Sequence, residues 1–258
     1  MNISQLLLII NRHTIGPLKW KIKDYLRKKL VDRLQSIPVL RMEIMNMDNV
    51  LIISPHPDDE VFGCGMLIKT LCEVGKHVEI IILSKGEAAL PTSVISKDNL
   101  IKARMHLTEK ALSNLGLNVS NLYYSDFKDG AFYQTPQHVI DKLKEQIKII
   151  SPDNIFYNHP QDASPDHLFA AKILKDILYD VPSKKYHYCV WLWHKLPMKH
   201  LMQIDFSHAL FYNGDIVAKH KSMDVYTEAR TEGGYKYSGD LSALFLKFAD
   251  QNAKYILK

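Results

Sequence analysis

The stretch "PHPDDE", residues 55–60, sets His56 beside three consecutive acids, Asp58, Asp59 and Glu60, directly after the apolar run "NVLIIS" (49–54). Adjacent carboxylates at the end of a buried strand repel one another and are costly to desolvate, so something must compensate. Two compensations are open. A helix beginning near Val61 would take Asp58 as its cap and Asp59 and Glu60 in its first turn, where the helix dipole favours negative charge. That accounts for Glu60, but not for His56 or for the two prolines, Pro55 and Pro57, that stiffen the turn. A divalent cation accounts for the histidine and the acids together, because imidazole with carboxylate suits zinc and its neighbours.

A cation needs a further ligand from elsewhere in the fold. The stretch "YNHPQDASPDHLFAA" (157–171) offers His159, Asp162, Asp166 and His167. A helix start explains part of it: Ser164 as cap, Pro165 at the first position and Asp166 in the first turn. His167 is left over. Two His/Asp clusters at two strand ends make the metal the stronger reading.

The elements that must hold these clusters alternate along the chain. Apolar runs at 49–54, 77–84, 121–125, 154–158, 186–193 and 208–213 read as strands. Helical patterns lie between them at 61–75, 97–116, 136–151 and 165–180, and two more helical stretches close the chain. Repeated β-α units imply an α/β fold with a mostly parallel, doubly wound sheet and helices on both faces. In such sheets ligands bind beyond the carboxyl ends of the strands, where both clusters fall.

Composition sets the class. With 47% hydrophobic and 24% charged residues, the 258-residue chain has an ordinary globular make-up and the length for one large α/β domain with an appendage. Its three cysteines, Cys64, Cys72 and Cys189, contain no C-x-x-C pair, which argues against a disulfide framework and a thiolate zinc cage and suits a reducing, cytoplasmic compartment. The apolar stretch Leu6–Ile10 reads poorly as a signal peptide, and no apolar run reaches the ~18 residues of a membrane span.

Charge is unevenly placed. Nine Lys and Arg against three acids leave residues 1–46 at +6 in a chain of net +5, so the remainder carries −1. Within that arm, Leu18, Ile22, Leu26, Leu30 and Leu34 recur every four residues from Pro17, with Tyr25 and Val31 widening the stripe. The expectation is an amphipathic helix packed on the body with a solvated basic face. The same pattern suits peripheral contact with an anionic membrane. The arm alone hints at nucleic acid, and no recognition motif accompanies it, so no nucleic-acid partner is expected. Pro38 and "NMDN" (46–49) break the chain and divide a basic N-terminal extension, 1–46, from a body at 47–258.

"PHPDDE" after a hydrophobic strand resembles the signature of the PIG-L/LmbE-like deacetylases. Many members carry H-P-D-H as a second motif, where this chain has Ser164-Pro165-Asp166-His167. "SKGEA" (84–88), Arg104 and "FKDG" (127–130) agree with it, whereas Leu107 stands where many relatives have a glutamate. The resemblance spans roughly residues 48–230. It implies a Rossmann-like fold with His56, Asp59 and His167 as ligands of Zn2+ or another divalent metal. It also implies Asp58 as general base, and Arg104 and Asp129 as sugar contacts. The implied reaction is hydrolysis of the N-acetyl group of an N-acetylglucosamine-type sugar or glycoconjugate. Ser164 replaces a histidine that in many relatives helps protonate the leaving amine. Either His159 reaches in from its loop or Asp58 shuttles the proton both ways, with Asp166 holding an imidazole in the required tautomer. Two alternatives stand beside this one: a metal hydrolase of another amide, and a non-catalytic sugar-binding relative.

Overall fold

The structure, a computed structural model, describes residues 16–251 and 254–257. One eight-stranded sheet organises them. Its strands are β1 (Leu40–Arg41), β2 (Asn49–Ser54), β3 (His77–Ser84), β4 (Leu122–Phe127), β5 (Asn154–Asn158), β6 (Lys184–Tyr188), β7 (Ala209–Phe211) and β8 (Lys254–Leu257). Their order across the sheet is β1-β7-β8-β6-β5-β2-β3-β4. All neighbours run parallel except β8, which lies antiparallel between β6 and β7. The doubly wound α/β arrangement read from the alternation is therefore present. The last strand, β8, was not foreseen.

The chain winds outward from β2 through β3 to β4, then returns to the other side of β2 for β5 and β6. The crevice between the carboxyl ends of β2 and β5 is the topological switch point, and the two His/Asp clusters follow those two strands.

Side-chain alternation along the buried strands divides the core. Val50 and Ile52 of β2, with Ile80 and Ile82 of β3, pack against α2 (Asp59–Glu73), α3 (Lys97–Asn114), α8 (Ile216–Glu228) and α9 (Ala243–Asp250). Leu51, Ile53, Ile81 and Leu83 face the other way, onto α4 (Gln137–Ile150) and α5 (Pro165–Ile177). A third cluster joins Val31 and Leu34 of α1 (Gly16–Gln35) to Leu192, Trp193, Leu196 and Phe248.

Two local expectations need correction. The run 186–193 is not one strand: β6 stops at Tyr188, and Leu192–Lys195 forms a helical turn, α6, followed by another at Met198–Leu201, α7. The cause is Asp162, whose carboxylate accepts the backbone N–H groups of Val190 and Leu192 and draws the chain out of the sheet. The apolar stripe of α1 does not pack along its length either. Leu18, Ile22, Tyr25 and Leu26 are exposed, and only the second half of the stripe docks, Val31 and Leu34 beside the buried Arg27. Arg27 buries its charge by donating from Nη1 to Trp193 O and from Nη2 to Leu196 O, each at 2.9 Å. Among the described residues no helix is long and apolar enough to cross a membrane.

Arg27→Ala leaves those two carbonyls unpaired in a buried place. A loss of about 1–3 kcal/mol is expected, measurable as a lower urea midpoint with an unchanged m-value.

Candidate active site

The turn after β2 is short and strained. Asp58 sits at φ 118°, a conformation that side chains rarely adopt, at a cost of order 1–3 kcal/mol. Its carboxylate makes no capping bond to α2, which overturns the cap expectation. Glu60 fixes the turn instead: Oε2 accepts the Asp58 N–H at 2.9 Å, and Oε1 accepts the Tyr226 hydroxyl at 2.5 Å. Burial pushes the Glu60 carboxyl up to about 8. Asp58 is left facing a cavity of about 410 Å³, within the usual size range of small-molecule sites.

Three donor atoms converge at that cavity. His56 Nδ1 and Asp59 Oδ2 are 3.2 Å apart, His167 Nε2 and Asp59 Oδ2 3.0 Å, and His167 Nε2 and His56 Nδ1 3.3 Å. Tetrahedral zinc with ligand bonds of about 2.0–2.1 Å holds its donors about 3.3 Å from one another. The spacing and the N,N,O donor set thus fit a divalent cation. The same three residues form a candidate metal site by proximity.

Each imidazole is oriented through its other nitrogen. His167 Nδ1 lies 2.7 Å from Asp162 Oδ2, a fully buried carboxylate. His56 Nε2 lies 3.1 Å from Asp166 Oδ2 and 3.3 Å from Asp129 Oδ1. A carboxylate on the far nitrogen fixes the tautomer and turns the near lone pair toward the metal position. Asp166 therefore holds the distant His56 and not its sequence neighbour His167, a role that falls to Asp162. His56, Asp129 and Asp166 also cluster closely enough to suggest a second metal position. Their geometry is that of a ring N–H and its acceptors: Asp129 also takes the Ala88 N–H, and Asp166 the Gly130 and Phe132 N–H groups.

The electrostatics follow from this packing. Burial pushes the Asp58 carboxyl up to about 7, against the pull of Arg104. Burial acts the same way on Asp59 and is outweighed there by His167 and His56, which hold it well below the usual carboxylate range. His167 is raised to about 9 because Asp59 and Asp162 overcome its burial.

Arg104 donates from Nη2 to Pro57 O at 2.6 Å and Asp58 Oδ2 at 3.3 Å, and from Nη1 to Tyr237 O at 2.8 Å. It lines the cavity while bracing the strained turn. Gly86 makes room for it: at φ +74°, a Cβ there would lie 2.1 Å from Arg104 Nε. Ser164 opens α5 by position, but its hydroxyl makes no capping bond and borders the cavity. His159 is not brought to the cavity. Its ring packs edge-on against His187 and its Nδ1 accepts the Gln161 N–H, while burial lowers it to about 4. The expectation that it reaches the site is corrected accordingly.

Sequence reasoning missed Ser238 and Leu241, which line the cavity with Trp191 and Lys195 of the aromatic and basic stretch "WLWHK" (191–195). None belongs to a motif, and only the fold brings them near. Asp162 was within reach as a carboxylate five residues before His167, but nothing in the spacing ranks it above Asp166.

Residues 51–178 match the family described as GlcNAc-PI de-N-acetylase (PIG-L). This segment of the chain belongs to the PIG-L family. The matched PIG-L segment runs from β2 to the end of α5 and so contains both halves of the donor set. The diacetylchitobiose deacetylase of Thermococcus kodakarensis is 29% identical over 131 residues, 48% of this chain and 47% of that protein. A probable N-acetyl-alpha-D-glucosaminyl L-malate deacetylase 2 of Bacillus cereus is 26% identical over 125 residues, 46% of this chain and 56% of that protein. The chain thus spans about half the length of the curated relatives it matches. Among solved structures, N,N'-diacetylchitobiose deacetylase from Pyrococcus horikoshii, complexed with its inhibitor MPG, shares the fold. It superposes with a TM-score of 0.55 at 20% identity, over 80% of this chain and 79% of that one.

Two outcomes follow for the donor set. Asp162→Asn keeps its amide oxygen on the Val190 and Leu192 N–H groups and so turns its amide NH2 toward His167 Nδ1, which loses its acceptor; zinc affinity falls about 10–100-fold in competition with a chelating dye. In the unsubstituted protein a cation must displace the proton that His167 binds below about 9. His56, held above its ordinary value by Asp129, Asp166 and Asp59, adds a second proton to displace; zinc affinity therefore rises with pH, by about tenfold per unit for each proton displaced, and titrations across the range read the slope.

Proposed function

We propose that the chain is a metal-dependent N-deacetylase acting on an N-acetylglucosamine-type sugar or glycoconjugate, with zinc as its metal. One observation carries this reading: three donor atoms lie 3.0–3.3 Å apart, and two of their residues, His56 and Asp59, line the same cavity as Asp58, a buried carboxyl raised to about 7. The substrate class is taken from the deacetylase relatives, which are named for N-acetylated sugars. The catalytic unit is assigned to residues 47–258, with 1–46 as its basic extension.

His56, Asp59 and His167 would hold the cation. When bound, it supplies Lewis acidity, polarising the amide carbonyl and making water acidic enough to attack near neutral pH. Every other task falls to the chain's own groups. Asp58 accepts a proton from the attacking water as the new C–O bond forms at the acetyl carbon. The nitrogen of the breaking C–N bond needs a proton, and Asp58 returns the one it took. Acetate and a free amine leave. His159 is turned away and Ser164 is a poor acid, so this single carboxyl serves both steps, and a value near neutrality suits both. Arg104 holds Asp58 and its turn in place. Asp129 and Ser164, at the cavity wall, are within the space a sugar would fill.

The test is amine release from a panel of N-acetylated sugars. Removal of metal by a chelator abolishes release, and zinc restores it. Asp58→Asn lowers release by about 10²–10⁴-fold while metal content, measured by elemental analysis, stays unchanged. Full activity in that variant would exclude Asp58 as the base.

A further inference from the structure

Helix α1 is divided along its length. From Arg27 onward it is docked on the body, with Arg27, Val31 and Leu34 buried, whereas every residue from Leu18 to Leu26 is exposed. At 100° per residue, Leu18, Ile22, Tyr25 and Leu26 fall on the face opposite Arg27, Val31 and Leu34. Their exposures are 58%, 51%, 58% and 50%; Trp20, which at 100° per residue lies on the other side of the same undocked half, reaches 63%. No described part of the chain covers this apolar face.

Its surroundings identify the occupant. Lys19, Lys21, Lys29 and Arg33 border the face or continue it. The Lys23 ammonium lies 4.8 Å over the Trp20 ring, and that of Lys29 5.7 Å over Tyr25. Seven Lys and Arg against two Asp give α1 a charge of +5, in a chain whose residues outside 1–46 sum to −1. A nucleic acid or a polyanionic glycan would neutralise the lysines and leave the leucines in water. A second copy would bring +5 against +5, and like charges across an interface are costly. An anionic bilayer offers acyl chains to the apolar face and phosphates to its lysine border. Large aliphatic side chains with Tyr, flanked by Lys, make up a helix face that lies in that interface.

We propose that the exposed half of α1 docks on an anionic lipid bilayer, with Leu18, Ile22, Tyr25 and Leu26 in the headgroup–acyl boundary and the lysines against lipid phosphates. The docked half ties the helix to the segment that lines the cavity. The two Arg27 bonds end on Trp193 O and Leu196 O, which flank Lys195 of the cavity wall. The bilayer contact stands independently of the deacetylase reading.

Co-sedimentation of the full chain with vesicles tests it, one set of phosphatidylcholine alone and one of phosphatidylcholine mixed with phosphatidylglycerol. The protein is expected to pellet with the mixed vesicles, to stay in solution with phosphatidylcholine alone, and to be released by salt. The triple variant Leu18→Glu/Ile22→Glu/Leu26→Glu lowers partition at least about tenfold, with a melting temperature close to the parent's because the replaced side chains lie outside the buried core. Lys19→Gln/Lys21→Gln/Lys23→Gln lowers it by about fivefold for each lysine removed. Equal pelleting of the parent and the apolar triple variant overturns the proposal, as does failure to pellet with the mixed vesicles. A dimer that the triple variant dissolves while vesicle binding persists also overturns it, and assigns the face to a contact between copies.

Discussion

A single buried anion sets much of this molecule. The Asp162 carboxylate is shut off from solvent, and such a group is tolerable only if its lone pairs are filled. They are filled by the His167 ring and by the N–H groups of Val190 and Leu192. The first partner aims His167 at the cavity. The other two end β6 and bend residues 189–192 away from the sheet, which sets Trp191 and Lys195 along the opposite wall. The metal donors and the shape of the cavity therefore share one origin, a carboxylate that touches neither the cation position nor the substrate space.

The three acids after β2 are separated by what surrounds each. Asp59 lies between two imidazoles and stays ionised. Glu60 is buried against Tyr226 and the Asp58 N–H and is raised toward the neutral form. Asp58 occupies strained backbone, held by Glu60 from below and by Arg104 across Pro57 O. Repulsion among adjacent carboxylates is thus relieved by giving them different protonation tendencies, and the strain at Asp58 directs its side chain into the cavity rather than onto the helix end.

Much of the fold was legible because the signals are local. Alternating apolar runs mark β2, β3 and β5, and four-residue periodicity with glycine stops marks the helices between them. Both halves of the donor set lie beside strand ends and were readable for that reason. What escaped depends on distant partners. The strand β8 is four residues long and has no flanking signal of its own. The bend after Tyr188 is imposed by Asp162, 26 positions earlier in the chain. Periodicity located the apolar stripe of α1 without saying which side meets the body. A buried arginine beside Val31 and Leu34 won that contact, since two carbonyls of the 193–196 segment were waiting for its guanidinium.

The antiparallel β8 has a consequence for the order in which the molecule forms. β7 meets the rest of the sheet only through β8, and β1 meets it only through β7. The docked end of α1 rests in part on Phe248 of α9, and Lys254 of β8 donates to Leu34 O and Ile37 O. During synthesis, then, the five-stranded block β6-β5-β2-β3-β4 can assemble while the first helix has no complete surface to rest on. Helix α1, made before any strand of this sheet, completes its contacts only once α9 and β8 have emerged.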